Sequence, residues 1–301
     1  MSSVADPLPD QLLPGQELPA PGAPGLLRRL LAERMGRLGL ILVLAFVLIA
    51  LAAPWIAPYD PLKINVKAKL EGVSLAHWAG TDQLGRDTLS RLIWGSRTAL
   101  AIALTATGLA GAIGLVLGMI AGYGPRWFDG LLVLILDSLS SLPMIMFALA
   151  VITVLGPGTF TLMLVIVVIS VPGYARLIRA QTLSLKTADY IEAERVMGAS
   201  HTRILLRHLM PNVVGPLVIL LSMDVPVVIM LEAGLSYLNL GVKPPTPSWG
   251  NILYDGYTSL RQQPLLVIAG GIPLILSTIG FTFLGEGLRD ALDPKLQVRV
   301  R

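Results

Sequence analysis

Residues 138–175 contain no charged side chain. Hydrocarbon about 30 Å thick is crossed by roughly 20 residues rising about 1.5 Å each, so this stretch is too long for one crossing. Gly156-Pro157-Gly158 interrupts it. Proline has no N–H to donate and glycine accepts positive φ, so the run reads as a turn between two spans, near 130–155 and 159–178. Comparable apolar runs occupy 38–57, 98–125, 212–235 and 264–285. Charged residues are only 14% of the chain, against roughly 25% in a soluble domain, and 54% are hydrophobic. That excludes a disordered chain and argues against an ordinary soluble enzyme. The expected fold class is all-α, a polytopic membrane protein with six transmembrane helices.

Six crossings return both termini to one side. With the N-terminus inside, 15 of the 23 Lys and Arg fall on inner segments, which favours an N-in, C-in arrangement. The expected organisation has four parts. Residues 1–27 form a Pro-rich, disordered cytoplasmic tail without a basic, apolar secretory leader. Residues 28–97 hold the first span and an outer amphipathic segment. Residues 98–286 form a five-helix core with an inner loop at 182–211, and 287–301 a cytoplasmic tail. Arg28, Arg29 and Arg34 suit a short helix at the inner surface, near anionic lipid or simply as the orientation signal. The chain has no Cys, hence no disulfide or thiolate site.

The inner loop is the longest polar interruption on its side. Two short helices fit, about 188–197 and 201–209. Gly198 supplies a turn with positive φ, Ser200 caps the second helix, and Pro211 ends it before the fifth span. Ile191, Val196, Met197, Ile204 and Leu205 are apolar positions suited to a groove on a partner, or to the lipid surface.

Glu192-Ala193-Glu194, then Gly198, then Pro211 resembles the EAA loop of ABC importer permeases, with Glu194, His208 and Met210 departing from the general pattern. Gly80-Thr81-Asp82-Gln83-Leu84-Gly85-Arg86-Asp87 resembles the segment before the second span in the C-type permeases of dipeptide and oligopeptide importers. Leu235-Ser236-Tyr237-Leu238-Asn239-Leu240-Gly241 with Ser248-Trp249-Gly250, Arg207-His208-Leu209-Met210-Pro211-Asn212 and Leu288-Arg289-Asp290-Ala291-Leu292-Asp293-Pro294 resemble later segments of the same family. The resemblance covers roughly 35–301 and implies a type I ABC importer permease in a bacterial cytoplasmic membrane. It implies a homologous B-type permease, two cytoplasmic ABC ATPase subunits, an extracytoplasmic substrate-binding protein and a peptide substrate as partners, beside the lipid bilayer and without nucleic acid. It also implies an ATPase-coupling loop that includes Tyr190, Glu192, Ala193, Glu194, Gly198, Ala199, Arg203, Arg207, His208 and Pro211. No Gly-x-x-x-x-Gly-Lys-Ser/Thr phosphate loop occurs. ATP and Mg are therefore expected on the ATPases, with no metal, organic cofactor or catalytic residue in this chain.

A charge inside a span costs about 2.5–3.5 kcal/mol on insertion scales. Asp137, Asp224 and Glu232 lie in the apolar runs. They are candidates for the translocation pathway, where an acid meets an ammonium group, or for structural bonds to a neighbouring helix. Segment 81–97 reads as an amphipathic outer helix, set against a binding protein or the bilayer interface. Residues 241–262 either fold over the pore mouth or connect two spans. Gly108, Gly111, Gly114, Gly118 and Gly122 read as a close-packing face. Nickel or another small solute remains an alternative cargo, and an intramembrane enzyme or stand-alone channel a distant alternative class.

Overall fold

The computed structural model describes residues 26–292, all of whose longer elements are helices. The Pro-rich segment 1–25 and residues 293–301 lie outside the described residues. The helices are α1 Leu26–Ala32, α2 Arg34–Ile56, α3 Thr88–Tyr123, α4 Arg126–Ser140, α5 Met144–Leu155, α6 Thr159–Leu185, α7 Asp189–Val196, α8 His201–Arg203, α9 Met210–Tyr237, α10 Trp249–Thr258 and α11 Leu265–Leu292. A π turn over Ile204–Leu209 joins α8 to α9, so His201–Tyr237 is one helix of 37 residues.

Close packing reveals the direction of each crossing. A Cβ on Gly114 would stand 2.5 Å from Tyr174 Cβ, one on Gly118 2.6 Å from the Ala175 carbonyl oxygen, and one on Gly122 2.7 Å from Thr182 Cβ. Residue numbers rise together along α3 and α6, so the two helices run parallel, and α4 with α5 between them must cross the membrane once. Only glycine lets the backbones approach this closely, and dispersion then holds them, because lipid tails supply no hydrophobic drive between helices. Gly111 meets Leu221 of α9 instead, and a Cβ on Gly108 would meet nothing within 4 Å among the described residues, so four of the five expected glycines form close contacts. α2 and α11 are antiparallel. Gly36 faces Gly287, and a Cβ on Gly39 would come within 2.3 Å of the Leu284 nitrogen.

The third crossing is broken. α4 and α5 meet at 88°. Pro143 disfavours a helical Leu142, and the Ser138 and Ser140 hydroxyls bond back to the Leu134 and Leu136 carbonyls, which bends helices. α5 ends at Gly156, with φ of +82° and its N–H on the Ile152 carbonyl at 2.8 Å, where the Gly-Pro-Gly signal placed the turn.

Three expectations about boundaries are corrected. Segment 81–97 is not a separate amphipathic helix. Thr81 to Asp87 form a closed turn with an antiparallel bridge, and Asp87 caps α3, accepting the Ser90 N–H at 2.8 Å. Its charges Asp82, Arg86, Asp87 and Arg91 are buried, not offered to a partner, while Arg97 is exposed. Asp82 accepts from Arg86 at 2.6 Å and from Arg91, and Arg91 also reaches Asp255 of α10 at 3.0 Å. Pro211 does not end a helix. Met210 donates to the Leu205 carbonyl five residues back, and the wider π turn makes room for a ring that would otherwise strike a carbonyl. The Asn212 side chain takes up the His208 carbonyl at 2.6 Å. α11 continues to Leu292, so the tail expected from 287 begins as helix. α1 matches the short helix expected around Arg28 and Arg29 and packs on α11, where Arg29 donates to the Ala291 carbonyl at 3.5 Å.

The main core gathers Phe46, Ile102, Ile166, Ile229, Trp249 and Leu274. Trp249 is fully buried, its ring edge-on to Phe46 at 5.8 Å and its N–H on the Leu92 carbonyl at 3.0 Å. Residues 241–262 are thus a packed element around α10.

Candidate functional site

The loop between α6 and α9 is built on a small core of its own. Ile191, Ile204 and Leu209 are each 0% exposed and pack with Tyr123, Leu185, Ala199 and Leu205. Ile191 and Ile204 therefore serve the chain's interior, not a partner's groove as the sequence suggested. Burying each such side chain is worth about 1.5–3 kcal/mol. That fixes α7 against the base of the long helix.

Gly198 ends α7 in a Schellman arrangement. The Ala199 N–H donates to the Glu194 carbonyl and the Gly198 N–H to the Arg195 carbonyl, both at 3.0 Å. Gly198 has φ of +82°, which an L side chain resists, and open space around its Cα. Ser200 then caps the next helix, accepting the Arg203 N–H at 3.4 Å. Between these two signals the chain turns back and leaves Val196 88% and Met197 72% exposed. Tyr190, Glu192, Ala193, Arg203, Arg207 and Pro211 are also exposed, while Ala199, Glu194 and His208 are half-buried. His208 Nε2 and Glu194 Oε1 are 3.5 Å apart across the turn, an electrostatic contact without hydrogen-bond geometry.

Sequence reasoning missed the residues that tie this loop to α3. Tyr123 closes α3 with its hydroxyl 3.0 Å from His201 Nδ1 and the Arg195 guanidinium 5.4 Å above its ring. Lys186 donates to the Gly122 carbonyl at 2.7 Å. An aromatic residue at a span end is the only local signal, and it reads equally as an interfacial anchor.

The three acids within the spans are separated by the fold. Asp137 on α4 pairs with Arg176 on α6 at 3.2 Å, and the two side chains are 60% and 47% exposed. Three residues on, Arg179 grips Asp129 with both its Nε and, at 2.7 Å, its Nη2. The two carboxylates lie about 12 Å apart along α4, whereas their arginines are only about 4.5 Å apart along α6, so the pairs fork from one level of α6. The elbow beside Asp137 opens a cleft of about 300 Å³ lined by Leu139, Ser140, Met144, Phe147 and Ile169. Asp224 is half-buried on α9, where the Tyr174 hydroxyl approaches it without closing a hydrogen bond. Glu232 is 0% exposed and accepts from Ser236 and Ser248, each at 2.8 Å. It locks α9 to the start of α10, and its expected place on an open pathway is corrected by that burial. Among the described residues no cluster of His, Cys, Asp and Glu has the grouping of a metal site.

Residues 114–298 match the family of binding-protein-dependent transport system inner membrane components, and residues 26–72 match the N-terminal transmembrane domain of oligopeptide transport permease C. The chain is 34% identical to a dipeptide transport system permease protein of Alkalihalophilus pseudofirmus, across 90% of this chain and 89% of that one. It is 38% identical to a glutathione transport system permease protein of Pectobacterium atrosepticum, across 90% of each chain. It is 37% identical to a di/tripeptide transport system permease protein of Pseudomonas aeruginosa, across 88% of this chain and 90% of that one. Its fold resembles a chain of the inward-facing MetNI methionine ABC transporter, with a TM-score of 0.56 at 19% identity, over 67% of this chain and 97% of the other. A multi-pass architecture, a profile match over most of its length and relatives aligned along nine-tenths of it agree, and the chain belongs to the binding-protein-dependent transport system inner membrane component family.

Proposed function

We propose that the chain is the permease subunit of an ATP-driven importer of short peptides and forms half of the translocation pathway. The observation that carries this is the loop's division of labour. Its base is sealed into the chain's own core through Ile191, Ile204 and Leu209, while its tip presents Val196 and Met197 to whatever lies beyond. A tip of this kind is a helix-in-groove contact. Held in a cleft of a cytoplasmic ATPase, it follows that subunit's movement. The continuous helix from His201 to Tyr237 then carries the movement through the membrane. A homologous second permease completes the pathway, and an extracytoplasmic binding protein delivers the cargo. ATP and Mg belong to the ATPases, and this chain's work is conformational.

The pathway itself is proposed along the α4–α5 elbow and the face of α6 beside it. An ion pair as exposed as Asp137 and Arg176 is costly against hydrocarbon, so that face meets water or the partner permease. Asp137 and Asp224 are the acids available to a peptide's ammonium group, and Arg176 suits its carboxylate. Short peptides as cargo follow the named relatives, among which glutathione is itself a tripeptide.

The test is a mild-detergent purification of the tagged chain with its co-expressed neighbours, then reconstitution and uptake. Co-purification of a second permease and an ATPase, with di- or tripeptide uptake that requires ATP, supports the proposal. Uptake of nickel alone replaces the cargo and keeps the class. A chain that never retains an ATPase overturns the coupling role.

A further inference from the structure

The segment joining α2 to α3 ends in an apolar tip that the transport reading does not use. Between Glu71 and Asp82 there is no acid, lysine or arginine. Ser74 and His77 close a tight turn, with the Ser74 N–H on the His77 carbonyl and the His77 N–H on the Ser74 hydroxyl, both at 3.0 Å. Leu75 stands at its apex, 98% exposed, flanked by Val73 at 60% and Trp78 at 69%. The Trp78 indole N–H already donates to the Leu75 carbonyl at 3.1 Å. The ring therefore needs no water to satisfy its one donor, and the turn meets most of its own polar demand.

The height of this tip follows from the span beside it. The apolar run 38–57 rises about 30 Å, the thickness of the hydrocarbon layer, so Tyr59 sits just past its boundary. His77 lies against Tyr59, with ring centroids 5.0 Å apart. Leu75 is two residues before His77, their Cα atoms no more than about 7 Å apart, a distance comparable to the headgroup layer of about 5–7 Å. Trp55, on the last turn of α2, is 82% exposed at the same boundary. The apolar tip and the exposed end of α2 thus lie on one side of the membrane at a comparable height, with Lys63, Lys67 and Lys69 exposed on the connection between them.

We infer that Val73, Leu75 and Trp78 form a membrane-interface anchor that seats the α2–α3 connection among phospholipid headgroups on the side opposite the α6–α9 loop. A chain without cysteine makes this directly measurable. Leu75→Cys, and separately Val73→Cys, would carry an environment-sensitive fluorophore in the full chain, reconstituted in phosphatidylethanolamine–phosphatidylglycerol vesicles. Arg261→Cys, on the exposed connection between α10 and α11, serves as the aqueous control. Both anchor positions should be quenched by lipids spin-labelled near the headgroup and be about fivefold less sensitive to aqueous iodide than the control. Iodide quenching equal to the control overturns the inference. So does shielding that appears only when the partner subunits or a binding protein are added, since the tip would then be a protein contact. Neither result bears on the coupling loop or the cargo.

Discussion

Gly198 is the position where a single atom should separate docking from assembly. Its φ of +82° costs an L residue about 1–2 kcal/mol. At about 1.4 kcal/mol per tenfold, the native turn becomes about 5–30 times less favoured when a Cβ is added. Nothing among the described residues lies within 4 Å of that Cβ, so the effect among them is purely conformational. Asparagine tolerates the left-handed region and alanine does not share that ease. Gly198→Asn should therefore keep most binding-protein-stimulated ATPase activity in the reconstituted importer. Gly198→Ala should lose several-fold, and Gly198→Val more. All three should insert and purify normally, because Ile191 still anchors α7. Full stimulation in Gly198→Val would refute the argument. If Asn were as damaging as Val, the space beyond the glycine, and not its φ, would be decisive.

Other consequences can be measured on the chain itself. Arg179→Gln removes a two-pronged grip on Asp129, and charged hydrogen bonds contribute about 1.5–3 kcal/mol each. Thermal unfolding in detergent should fall by several degrees, whereas Arg176→Gln, on the more exposed pair, should change it little. Arg91→Leu leaves Asp82 buried with one partner fewer, a change that costs about 3–5 kcal/mol when a buried pair is broken. The connection 60–87 should then be nicked by protease, and an unchanged digestion pattern would count against the buried network. Partial desolvation, and then repulsion from Asp290, hold the largely exposed Glu33 carboxyl above its ordinary 4.5. Its raised pKa favours the folded state at low pH and loses that contribution as pH rises through the folded value. Thermal unfolding in detergent should therefore fall more between pH 4 and pH 7 in the native chain than in Glu33→Gln, and an equal fall in both would count against it.

The spans, the Gly-Pro-Gly turn, the positive φ of Gly198 and the Ser200 cap were all legible in the sequence. Each rests on local chemistry, namely an apolar run, a missing N–H, a missing Cβ and a hydroxyl near a free N–H. What escaped depends on tertiary partners. Pro211 reads as a terminator until the π turn before it is known. Arg86 and Arg91 read as charges facing a binding protein or the bilayer interface because one of the two acids that pair with them, Asp255, lies far along the chain. Ile191 and Val196 look alike in the sequence, and only the π turn's Ile204 and Leu209 decide which of them turns inward. Residues 130–155 read as a single span in the sequence, which does not show the 88° bend at Pro143, since a proline near serines also suits a gentle kink.

The contact between Gly111 and Leu221 divides the helix His201–Tyr237 unevenly. Measured along the helix, it lies about 30 Å from the loop end and about 24 Å from the far end. A rod pivoted there is a lever of the first order with arms in a ratio of about 1.25. A stroke of 5 Å at the loop would reappear as about 4 Å in the opposite direction at the other face. For a helix turning as a rod about that contact the gearing would be close to unity, and the amplitude at the far face would follow the stroke at the loop.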